Sequence, residues 1–180
     1  MNKKIVLGVI ALFVAFVLTM AYIANLNGPW RGQVIDAETK RPIEGAAVVA
    51  VWNKEFASPA GPGAYFLDAD EAVTDKDGKF NIPARRYLSI PLFRYVKGPY
   101  FTIYKPGYGS FPSHQISPTY ISDNIFGPEN TVVELPKAVA YQDRFQTMID
   151  VDMLSNIPSD KIPIINRMEK EETNWLKNNK

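Results

Sequence analysis

Cysteine is absent from this chain. That excludes disulfides, zinc–thiolate centres, a thiol nucleophile and a lipid-modified lipoprotein cysteine. Histidine occurs once, as His114. A zinc peptidase typically needs two histidines and a glutamate, so no such centre can be assembled. Nor does a G-x-S-x-G elbow accompany this histidine. The nearest segment, "GYGSF" at 107–111, lacks the closing glycine after Ser110. Glycine-rich phosphate loops and dinucleotide fingerprints are missing as well. An excess of one charge is also lacking: 20 Lys and Arg face 19 Asp and Glu. Such balance gives no footprint for nucleic acid. Arg85, Arg86 and Arg94 in "PARRYLSIPLFRY" read as ordinary surface charge rather than a nucleic-acid or lipid patch. Asp143, Asp150 and Asp152 read as the solvated face of a helix rather than acid–base partners. No catalytic residue, cofactor or metal ligand is therefore expected, and the chain reads as non-enzymatic.

One long hydrophobic run is present. "IVLGVIALFVAFVLTMAYIA", residues 5–24, contains no charged residue. As a helix it is long enough to span a bilayer core. It has no polar stripe, which separates it from an ordinary core helix. Lys3 and Lys4 should stay on the cytoplasmic side and send the rest of the chain across. Thr19-Met20-Ala21 offers a weak cleavage site, but the run continues past it. The expectation is an uncleaved anchor in the cell inner membrane, single-pass, with the remaining chain in the periplasm. A cleaved signal peptide, giving a secreted or periplasmic protein, is the alternative. The chain thus divides into an anchor or signal (1–24), a body (25–136) and a tail (137–180).

The body alternates strand-like runs with turns. "WRGQVID", residues 30–36, puts Gly32, Val34 and Asp36 on one face. "AETKRPIEG", residues 37–45, reads as a turn. "AAVVAVW", residues 46–52, is apolar throughout, as befits a strand buried on both faces. Val48, Val49 and Val51 are expected to fill the interior of a two-layer body, with Trp52 capping it. "ASPAGPGAYF", residues 57–66, reads as a long loop. Residues 85–99 carry no clear pattern. "YFTIYKPGY", residues 100–108, begins as a strand and ends at Pro106-Gly107. Residues 111–130 read as another long loop, and "TVVELP", residues 131–136, as the last strand.

"EAVTDKDGKFNIP", residues 71–83, suggests either a calcium loop or a tight turn. Counting Asp75 as position 1 places Lys79 at 5, Phe80 at 6 and Arg86 at 12. A calcium loop requires an oxygen ligand, a glycine and a glutamate there. Asp77-Gly78 instead fits a hairpin turn.

In the tail, glycine disappears and helical spacing begins. Tyr141, Phe145, Met148 and Ile149 share one face of a first helix. Asp160 is placed to cap a second over 161–177, striped by Ile164, Ile165, Met168, Trp175 and Leu176.

Three body motifs carry a resemblance. "GQVIDAETKRPIEGAAVVAVW", then "TDKDGKFNIP", then "YKPGY" occur in order, and together they resemble carboxypeptidase regulatory-like domains. The resemblance covers about residues 30–136. It implies a mainly β fold: a transthyretin-like, Greek-key β-sandwich of about seven strands, acting as an accessory, non-catalytic module. The loops around 57–69 and 109–130 and the helical tail fall outside it.

Aromatic residues supply the remaining clue. Tyr65, Phe66, Tyr100, Tyr104, Tyr108, Phe111 and Tyr120 lie in loops and near strand ends. Exposed rings stack on sugars, and tyrosine is favoured at protein interfaces; the competing reading packs half of them in the core. The candidate binding surface is Tyr65, Phe66, Tyr104, Tyr108, Phe111 and His114. The expected function is a membrane-tethered interaction or scaffold module of the cell envelope that docks a protein partner. Carbohydrate binding through the loop aromatics, with a glycan as partner, is the alternative.

Overall fold

A computed structural model describes residues 3–24, 26–56, 61–87, 94–113 and 131–180. In chain order the elements are α1 (Lys3–Ala24), β1 (Leu26–Asn27), β2 (Trp30–Asp36), β3 (Ala47–Phe56) and β4 (Gly63–Val73). They continue with β5 (Lys79–Ile82), β6 (Arg85–Arg86), β7 (Arg94–Tyr104) and β8 (Thr131–Leu135). The tail holds α2 (Tyr141–Val151), a 3₁₀ turn (Asp152–Asn156) and α3 (Pro163–Asn178).

The strands make two small sheets, ordered β5-β2-β8 and β4-β3-β7, and a ribbon of β1 with β6. β2 runs antiparallel to β5 and parallel to β8. β3 runs antiparallel to both of its neighbours. One core cluster takes Val34 from β2, Val48, Ala50 and Trp52 from β3, Phe80 and Ile82 from β5, Phe101 and Ile103 from β7, and Val133 and Leu135 from β8. Both sheets therefore meet in it. A second cluster joins Ala47, Val49 and Val51 of β3 to Val151, Leu154, Ile162, Ile165 and Met168 of the tail. This is why β3 is apolar along its first half: alternate side chains serve two different cores. Burying each such valine or isoleucine contributes about 1.5–3 kcal/mol. Val48 fills the space between the sheets as expected, whereas Val49 and Val51 face the tail.

The motif residues have local work. Thr74 is buried; its hydroxyl donates to the Ile43 carbonyl at 2.6 Å and accepts the Ala46 N–H at 2.8 Å. It stitches the 43–46 turn to the end of β4. Lys105 Nζ donates to the Glu44 carbonyl at 2.6 Å, closing the same turn from β7. A Cβ on Gly32 would lie 2.6 Å from the Phe80 ring and 2.7 Å from the Thr131 carbonyl, so only glycine lets β2 sit between its neighbours.

Several expectations need correction. Residues 63–69 are not loop: they belong to β4, which pairs with β3 along its length across a bulge near Trp52. The strand was hidden because its inward positions hold Asp68 and Asp70, which ion-pair with Arg85, where apolar residues would mark alternation. The unassigned 85–99 stretch contains β6 and the start of β7. Asp75-Lys76-Asp77-Gly78 is a tight turn, yet it joins β4 and β5, which lie in different sheets, so it is a corner and not a hairpin. Asp75 Oδ1 accepts the N–H groups of Asp77 (2.9 Å) and Lys79 (2.8 Å), and Gly78 has φ 71°. Among the described residues no acidic or histidine cluster could hold a metal ion.

The tail helices also differ from expectation. On α2 the buried positions are Thr147 and Val151, so the Tyr141–Phe145–Ile149 stripe points outward. Asp160 does not cap α3. Glu71 of β4 does so instead, its two oxygens accepting the N–H groups of Ile164 (2.8 Å) and Ile165 (2.9 Å). Burial raises the Glu71 pKa, and the two N–H donors pull it back only in part. Among the described residues no helix is long and apolar enough to cross a membrane; the side chains of α1 are described only as far as Thr19.

Candidate functional site

The six residues of the expected binding surface do not come together. Tyr104 is 1% exposed and lies in the cluster between sheet and tail. Its hydroxyl makes no hydrogen bond of good geometry among the described residues; burial first, and the nearby Glu172 carboxylate second, hold its proton on. Phe111 is equally buried, in the core between the sheets. Tyr108 is half-buried, and its hydroxyl donates to Asp36 Oδ2 at 3.4 Å. His114, with Tyr120, lies outside the described residues. Tyr65 and Phe66 remain, and they do share a site.

That site is a groove of about 500 Å³ on the outer face of the β4-β3-β7 sheet. Its size is within the range of small-molecule sites. The tail packs over Ala47, Val49 and one side of Val51 on that face, and the groove runs from Val51 across the β3 bulge to Asn53. Val51, Asn53, Phe66, Tyr100 and Thr102 form the floor, with Phe66 opposite Asn53 and Tyr100 opposite Val51 in the ladder. The 3₁₀ turn and the residue after it supply a wall of Leu154, Asn156 and Ile157. Tyr65, 43% exposed, stands at the rim against Phe56, with ring centroids 6.1 Å apart. The sequence hinted at this floor where β3 turns from apolar to polar at Asn53. The part played by Asn156 had no local signal, since the tail brings it from a distant segment.

A second feature is the outer face of α2, where Phe145 is 43% exposed and Ile149 45%; Val139, two residues before the helix, is 75% exposed. Tyr141 stacks on Phe145 with centroids 6.2 Å apart and rings nearly parallel. The helix is held by its other side. Arg144 makes a bidentate ion pair with the buried Glu172 of α3, and its guanidinium lies 3.7 Å above the Trp175 ring. α3 is tied to β4 by the Glu71 cap, and the turn before it by Lys161 Nζ to Asp68 Oδ1 at 2.8 Å. Arg85 closes the opposite side of β4, pairing with Asp70 and, at 3.3 Å, with Asp68. At the groove's edge Lys97, opposite Asn53 in the ladder, pairs with Glu55 at 3.2 Å, and the described lining itself consists of neutral side chains. No protein-family model, curated protein or solved structure matches the chain.

Proposed function

We propose that the chain is a membrane-tethered, non-catalytic interaction module of the cell envelope, and that it docks a protein partner through the outer face of α2. The observation that carries this reading is the position of the apolar stripe. Phe145 and Ile149 are exposed on α2, with Val139 exposed just before the helix begins, and the other side of α2 is fixed by a buried ion pair. An exposed apolar patch of this kind marks an interaction surface. Two three-stranded sheets sharing one core, with Gly32, Thr74 and Lys105 acting at the motif positions, support a transthyretin-like Greek-key β-sandwich of the carboxypeptidase regulatory-like type. The ground for an inner-membrane anchor, with the body on the periplasmic or exterior side, is the sequence of residues 5–24, an uncharged run of 20; it is a reading of the sequence, since no described helix meets the length and apolarity of a span.

The test is recovery of the full chain from solubilised membranes at its native level. It should carry a partner protein, and Phe145→Asp should lose that partner while melting like the parent. Recovery of a lone monomer would contradict the reading.

A further inference from the structure

We infer that the groove beside the 3₁₀ turn binds an uncharged saccharide. The inference is independent of the docking reading of α2, because the two surfaces share no residue.

Three properties of the groove point to this ligand class. First, among the described residues no Asp, Glu, Lys, Arg or His lines it, and Lys97, opposite Asn53 in the ladder, is already paired with Glu55 at 3.2 Å. A phosphate, an acidic sugar or a cationic peptide would lose hydration there and would have to compete with that pair for a counter-charge. Second, the lining combines rings with isolated neutral donors and acceptors. Tyr65, Phe66 and Tyr100 offer faces and edges suited to the C–H surfaces of a sugar ring. Asn53, Asn156 and Thr102 offer amide and hydroxyl groups, each able both to donate and to accept. A neutral sugar presents the same mixture of hydroxyls around an apolar ring face.

Third, the floor offers little backbone. β3 is the central strand there and is laddered to β4 and β7 on either side of its bulge, where only Trp52 lacks a β7 partner. An extended peptide laid in the groove would bring a row of amides and find only scattered side-chain groups, Asn53, Thr102, Asn156 and two tyrosine hydroxyls, to meet them. A sugar's separate hydroxyls need no such row. A purely apolar ligand would in turn strand both asparagine amides.

The test uses the full chain in lipid nanodiscs free of glycoside detergent. Calorimetric titration with maltohexaose, cellohexaose, laminarihexaose and chitohexaose supplies the neutral probes. Oligogalacturonate is the acidic control and a Val-Thr repeat peptide the extended-chain control. At least one neutral oligosaccharide should bind saturably. Tyr65→Ala and Asn156→Ala should each weaken it about tenfold or more, while Tyr65→Phe keeps most of the affinity. Both altered residues are exposed, so the variants should fold. Binding of none of the neutral probes would overturn the inference. So would tighter binding of the acidic control or of the peptide, or unchanged affinity in both alanine variants. Any of these would leave the α2 docking reading intact.

Discussion

Asp36 shows how one side chain can organise a turn. It ends β2, is 3% exposed, and its Oδ1 accepts the N–H groups of Glu38 at 2.9 Å and Thr39 at 2.8 Å. Lys137 approaches its other oxygen at 3.8 Å. Burial alone would raise its pKa, but the Thr39 and Glu38 N–H groups together with Lys137 outweigh that and hold it below the ordinary 3.8. The folded state thus favours the ionised form more than the unfolded chain does. Its contribution is complete above pH 3.8 and is lost as pH falls through the lower folded value. Asp36→Asn should cost about 1–3 kcal/mol at neutral pH in urea denaturation. The gap between parent and variant should narrow in acid; a gap independent of pH would show that the charge plays no part. The sequence displayed an aspartate before a polar turn, and Gly32, Val34 and Asp36 were placed correctly on one face. What Asp36 holds was not legible, because Tyr108 and Lys137 reach it from distant parts of the chain.

At the scale of elements, the tail is clamped by contacts that spacing along one helix does not reveal. Arg144 and Glu172 belong to different helices, and Glu172 interrupts an otherwise apolar stripe on α3. Removing one partner strands a buried charge. Arg144→Ala should therefore cost about 3–5 kcal/mol in chemical denaturation, while the apolar double change Arg144→Met with Glu172→Leu should cost much less. Equal losses in the single and double variants would mean that the pair is not buried as described. The same distance effect explains where the sequence was informative. Strands β2, β3 and β8 were legible because their alternation or apolar run is local. β4 was not, since its inward aspartates find their partner on β6. The α2 stripe was found, but periodicity marks an apolar face without saying what covers it.

For the molecule as a whole, the proposal joins α1, a two-sheet body and an α-helical layer into a module held at a membrane. The order of layers follows from β3, which serves one core with Val48 and another with Val49 and Val51. The tail leaves two surfaces open, the groove and the outer face of α2, and uses its charges to hold itself in place. Replacing Phe145 with a photoreactive residue in the full chain and illuminating intact native cells tests the central claim most directly. A discrete adduct with an envelope protein should appear in the membrane fraction, and none from the same probe at Lys76, at the far turn. Absence of any adduct at Phe145, or the same adduct at both positions, would contradict it.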